Sequence, residues 1–118
     1  MRGNTNALTE LKTYLDDKSA VKCAEILYRP CSLWEENIPQ NKDLFLPIGY
    51  TQEEFNSFLK ELDFNYDSGY GGQELYGVIW LEDGTWMSRG EYDGSEWWEH
   101  NVVPEIPNHL FSHKQIKI

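Results

Sequence analysis

Apolar positions along this chain recur with two different periods, and the switches between them divide it into elements. Leu8, Leu11 and Leu15 recur at three- and four-residue spacing, which predicts a helix capped by Asn4 or Thr5 and running to about Asp16. Asp17-Lys18-Ser19 interrupts it. Val21 to Tyr28 is rich in strand-favouring residues and closes at Pro30, so it reads as a strand. Residues 31–42 read as a loop around Trp34. Leu44 to Ile48 reads as a short strand, which Pro47 confines to a sheet edge because proline donates no ladder hydrogen bond. Thr51-Gln52-Glu53-Glu54 has the form of a capping box opening a second helix, with Phe55, Phe58, Leu59 and Leu62 on its buried stripe. Residues 65–72, with three glycines, read as a loop.

The clearest pattern follows. Glu74 to Glu82 and Thr85 to Asp93 flank Asp83-Gly84, a preferred pair for a two-residue type I′ hairpin turn. That register pairs Leu81 with Trp86, Ile79 with Ser88, Gly77 with Gly90 and Leu75 with Tyr92 on a core face. Trp80, Val78 and Tyr76 then oppose Met87, Arg89 and Glu91 on a mixed face. The facing glycines imply that a tryptophan or a helix approaches the backbone closely there. Asp93-Gly94 makes a second turn of two or four residues, and Trp97 to Val103 returns as a third strand with either Trp97 or Trp98 toward the core. Together these elements predict an α+β fold, an antiparallel sheet built around a β-meander with two helices packed on one face. One domain over residues 1–118 accommodates it, the last ten or so being peripheral.

Charge narrows the function classes. The 118 residues carry a formal net charge of −10, and the imbalance is concentrated. Residues 1–60 hold nine acids and seven bases, whereas residues 61–113 hold eleven acids and one base, Arg89. Such a field repels nucleic acid and anionic membrane and attracts basic protein surfaces. No stretch approaches the roughly 20 apolar residues of a membrane span, and the polar start of the chain does not resemble a signal peptide. Cys23 and Cys31 lack CxxC spacing. A cytoplasmic protein with reduced thiols is expected.

Candidate chemistry is sparse. His109 and His113 stand four apart, but Pro107 and the absence of a helical pattern oppose a two-histidine metal site, and no metal or cofactor is expected. The glycines at 69, 71 and 72 precede a strand, whereas a phosphate-cradling loop follows one. Glu91, Glu96 and Glu99 beside Trp97 and Trp98 evoke a glycosidase cleft, yet one small open sheet offers little cleft. No serine or cysteine stands in a nucleophile motif, so no catalytic residue is assigned and the chain reads as a non-enzyme. Arg89 reads as an internal anchor, stacked on Trp80 or Trp98 and paired with Glu91. The remaining acids, Glu74, Glu82, Asp83, Glu91, Asp93, Glu96 and Glu99, belong to or border one meander. Carboxylates on a rigid sheet imitate phosphate spacing, and Tyr76, Trp80, Trp97 and Trp98 supply aromatic anchors. The expected partner is a basic surface of a nucleic-acid-binding complex. Competing expectations are a homo-oligomer contact through the same aromatics, and a carbohydrate-binding domain.

Gly77-Val78-Ile79-Trp80, Asp83-Gly84-Thr85-Trp86 and the run from Arg89 to Glu99 carry a resemblance. Residues 66–107 resemble small uncharacterised acidic proteins carried by bacteriophages and prophages. In general character the chain is similar to phage inhibitors of bacterial defence of the anti-CRISPR and antirestriction type. The resemblance implies the cytoplasm of a bacterial host and an inhibitory role. It carries over no defined site residue, and the balanced N-terminal half departs from a DNA mimic that is acidic throughout.

Overall fold

The computed structural model describes residues 4–30, 40–69 and 72–111. The expected loop around Trp34 and the residue His113 lie outside this range. Strand β1 (Asn4–Asn6) leads into helix α1 (Ala7–Leu15), then strands β2 (Val21–Tyr28) and β3 (Lys42–Leu46). Helix α2 (Gln52–Glu61), strand β4 (Asn65–Asp67) and the meander β5 (Leu75–Leu81), β6 (Trp86–Tyr92) and β7 (Ser95–Asn101) follow. Five strands form one antiparallel sheet in the order β3-β2-β5-β6-β7, and β1 pairs with β4 in a separate ribbon. The fold is α+β, as expected. No helix among the described residues is long and apolar enough to cross a membrane.

Local chemistry accounts for the helix starts. Asn6, rather than Asn4 or Thr5, caps α1, its side chain accepting from the Thr9 N–H at 2.9 Å. The two residues before it are drawn into β1, where Thr5 faces Tyr66. At α2 the capping box forms in full: Thr51 Oγ1 accepts from the Glu54 N–H, and the Glu54 carboxylate accepts from the Thr51 N–H.

Alternation divides the large sheet into two unlike faces. The inner face carries Ala24, Ile26, Leu44, Leu46, Leu75, Ile79, Leu81, Met87 and Trp98, all buried and in one cluster with Ala7 and Leu11 of α1 and with Phe58 and Leu62 behind α2. Transfer of that apolar surface from water, at about 25 cal/mol per Å², is what holds the helices on the sheet. The outer face carries Glu25, Phe45, Tyr76, Trp80, Trp86, Trp97 and Glu99, none of them buried.

The β5–β6 hairpin corrects the expected register by one residue. Val78 pairs with Ser88, Ile79 with Met87 and Trp80 with Trp86. The Leu81 carbonyl accepts from Gly84 N–H at 3.2 Å, and Leu81 N–H donates to the Thr85 carbonyl. Glu82, Asp83 and Gly84 thus form a three-residue loop, with Gly84 at φ 88° supplying the left-handed residue. A one-residue slip exchanges the faces of a strand. Met87 and Arg89 therefore point inward, and Trp86, Ser88 and Gly90 point outward. The type I′ turn forms instead at Asp93-Gly94 (φ 52° and 88°), between Tyr92 and Ser95. That two-residue loop sends Trp98 into the core.

Gly77 and Gly90 consequently do not face each other. Gly77 pairs with Ile26 on β2, and Gly90 with Trp97 on β7. Close approach occurs at each glycine separately. A Cβ on Gly90 would strike the Trp97 indole, and one on Gly77, at φ 151°, would collide with the Glu25 carbonyl. Gly77→Ala should therefore lower stability by more than about 2 kcal/mol, read as a fall in the urea midpoint. An unchanged midpoint would mean that β2 and β5 separate there at no cost.

Candidate functional site

Arg89 is the centre of a polar cluster that joins β6, β7, α1 and β4. Its position on β6 faces inward, and its side chain is 2 % exposed. A guanidinium so placed requires compensation, because an unpaired buried charge is costly. Glu96 supplies it from β7: Arg89 Nη2 donates to Glu96 Oε1 at 2.8 Å, and the Glu96 side chain is fully buried. Glu10 supplies a second carboxylate from α1, with Oε1 3.2 Å from Arg89 Nη1. Tyr66 of β4 bridges the two, accepting from Arg89 Nη2 at 2.8 Å and donating to Glu10 Oε1 at 2.6 Å. The Trp98 ring lies 4.8 Å from the guanidinium carbon, within cation–π range. Arg89 Nε and Trp98 Nε1 are buried without hydrogen-bond partners.

Glu96 also closes the sheet. Its Oε2 accepts from the Glu74 N–H at 2.8 Å and its Oε1 from the Leu75 N–H at 3.0 Å, so one carboxylate starts β5 and neutralises Arg89. Glu74 in turn accepts from the Asp67 N–H. Burial raises the Glu96 carboxyl above its ordinary pKa, although the Glu74 and Leu75 N–H groups and Arg89 pull it back. At Arg89 burial opposes the charge, but Tyr66, Glu96 and Glu10 outweigh it and hold the group charged. Tyr66 is driven well above the ordinary phenol range, first by burial and then by its hydrogen bond to Glu10.

This arrangement removes three expected contact residues from the surface. Glu74 (7 % exposed) and Glu96 (6 %) are structural carboxylates, and Trp98 (2 %) is a core residue. Arg89 does anchor the sheet from Trp98, but it pairs with Glu96 and Glu10 instead of Glu91. Glu91 accepts from the Gly94 N–H at 2.8 Å and secures the β6–β7 turn. Glu82, Asp83, Glu91, Asp93 and Glu99 are exposed, as are Tyr76 and Trp80, and Trp97 is half-exposed. Asp83 lies below its ordinary pKa because Thr85 donates to it from both side chain and backbone. Trp97 covers Gly90 and donates its Nε1–H to Glu99 at 3.0 Å.

No protein-family model matches the chain, and no curated protein or solved structure is similar enough to it to count as a match.

Glu10 and Tyr66 are absent from the expected site. The signal for Glu10 was its place one turn after Ala7 and next to Leu11, on the buried stripe of α1. Among the described residues no three His, Cys, Asp or Glu side chains converge to hold a metal. A groove of about 370 Å³ runs between Phe45 and α2, lined by Glu53, Glu54 and Glu61 among others. The Arg89 cluster takes no part in it. Its chemistry is charge neutralisation between elements.

Two outcomes test that role. Arg89→Met should cost about 3–5 kcal/mol, since Glu96 then stays buried without its cation; a loss below about 1 kcal/mol in urea denaturation would contradict it. Tyr66 binds its proton more tightly folded than unfolded, so the stability it contributes is full below about pH 10 and is lost as pH rises beyond. Tyr66→Phe should remove up to one proton, about 1.4 kcal/mol per pH unit, from the alkaline slope of stability measured between pH 10 and 12.

Proposed function

We propose that the protein acts by binding. Its acidic surface engages a basic, nucleic-acid-handling bacterial protein and blocks it, as inhibitors of the anti-CRISPR and antirestriction type do. The observation that carries this reading is the exposure of Glu82, Asp83, Glu91, Asp93 and Glu99 on a rigid meander beside exposed Tyr76 and Trp80. Charge steers the encounter and aromatic anchors hold it. Glu91 and the Asp93-Gly94 turn are fixed by local hydrogen bonding and backbone geometry, so little conformational entropy is lost on association. The buried Arg89 supports the reading indirectly, since the one base of residues 61–113 is withdrawn from the surface.

Exposed Tyr76, Trp80 and Phe45 on the outer sheet face also favour self-association as a second reading. Light scattering separates the two. A dimer insensitive to salt, with no other protein captured, fits self-association.

Immobilised protein should retain a basic nucleic-acid-handling protein from bacterial lysate at low salt and release it at high salt. Reversing Glu82, Glu91, Asp93 and Glu99 to Lys should abolish capture while leaving the circular dichroism spectrum unchanged. Undiminished capture by that variant would refute the reading.

A further inference from the structure

The outer face of the five-stranded sheet combines open aromatic surface with carboxylates. Register places Phe45, Glu25, Val78, Ser88 and Glu99 in one row across β3, β2, β5, β6 and β7. Trp80 and Trp86 pair on one side of that row, and Tyr76 and Trp97 lie on the other. Trp80 is 42 % and Tyr76 40 % exposed. The Glu25 carboxylate is exposed and has no partner among the described residues, while the Glu99 carboxylate lies over Gly90 of β6 and accepts from the Trp97 Nε1–H. Arg29, at the end of β2, is engaged by Asp43 at 2.6 Å. The middle of the face thus presents anionic groups among aromatic rings.

We infer that this face is the docking surface, and that its occupant is an extended, arginine-bearing segment of a partner protein. The inference rests on the proposed function and says where on the molecule it is carried out. Charge complementarity selects the occupant. A second copy laid on this face would bring Glu25 and Glu99 against their own kind, which disfavours it. Guanidinium groups satisfy both features of the surface at once, stacking on Tyr76, Trp80 and Trp97 and forming bidentate pairs with carboxylates. Spacing agrees. Glu25 and Glu99 stand three strands apart, about 14 Å at 4.8 Å per strand. Four residues of extended chain span about 14 Å, so side chains at i and i+4 of a segment crossing the strands lie over both backbone positions. The length of an arginine reaches the Glu99 carboxylate where it lies over Gly90.

A synthetic peptide with arginine at every fourth position among serines is the probe, titrated by calorimetry and by tryptophan fluorescence. Two variants lose the same charge: Glu25→Gln with Glu99→Gln on the face, and Glu82→Gln with Asp93→Asn at the turns, where asparagine tolerates the left-handed backbone. The face variant should bind at least about tenfold more weakly, and the turn variant less than about threefold. Trp80→Ser should weaken binding with no change of charge. Equal weakening by the face and turn variants would overturn the inference in favour of bulk charge. Absence of wild-type binding would overturn it too, as would a wild-type dimer that Trp80→Ser converts to monomer. Failure of the proposed function is read separately, in lysate capture. A partner still held by the face variant but lost on turn reversal leaves the function standing and refutes this face as its site.

Discussion

A guanidinium in a hydrophobic core is tolerable only where carboxylates meet it, and at Arg89 that requirement reaches across the molecule. Glu96 comes from β7, Glu10 from α1, Tyr66 from β4 and the covering indole from Trp98. The large sheet, the small ribbon and the first helix are thereby fixed to one another at a single point. Apolar burial holds each helix on the sheet without specifying its position along it. The ion cluster does specify it, because no other placement of α1 gives Arg89 its second carboxylate. The remaining contacts nearby extend this arrangement: Glu96 to the start of β5, and the Ser68 carbonyl to the Glu96 N–H.

The same economy of charge separates the two faces. Inward-pointing Arg89 is met by Glu96 and Glu10, and the buried Glu74 carboxylate accepts from the Asp67 N–H, so these charges are satisfied inside the fold. The acids that remain outside, with Trp80, Trp86, Trp97 and Tyr76 among them, form a surface of one sign over a stiff support. Trp97 acts on the outer side of this division, filling the space above Gly90 and orienting Glu99.

Much of the fold was legible in the chain. β2 has the expected ends, and α2 opens with the expected capping box. β3 is an edge strand as expected, although it runs from Lys42 to Leu46 and stops before Pro47 instead of continuing to Ile48. The helical stripe of α1 and the two turns at Asp-Gly were also visible. The hairpin register was not, because Asp83-Gly84 suits both a two-residue type I′ turn and a three-residue loop with glycine in the left-handed position. Choosing between them depends on which face of β6 buries more apolar surface. Met87 with a neutralised Arg89 prevails over Trp86, Ser88 and Gly90, and that neutralisation involves Glu10, 79 positions away. For the candidate site the same cause applies. Composition separates acids from bases, but only long-range contact decides which acids are structural, and so Glu74, Glu96 and Trp98 could not be told from Glu82, Glu99 and Trp97. β1 and β4, three residues each, were too short to leave a periodic trace.

The distance between Glu10 and Arg89 along the chain bears on how the protein comes to be folded in the cell. Helix α1 is made well before Arg89, the partner of its Glu10, which is translated 79 residues later. Domains often fold as they emerge, beginning with their N-terminal portions. Here the first helix meets β2, α2 and β4 early, but its ion-pair partner only when β6 is in place. Residues of β2 and α2 cover its apolar stripe, and the closing contact with Arg89 carries the high loop-entropy cost of a distant contact. The charge arrangement around Arg89 therefore closes only after β7 has delivered Glu96, long after the apolar face of α1 has been made.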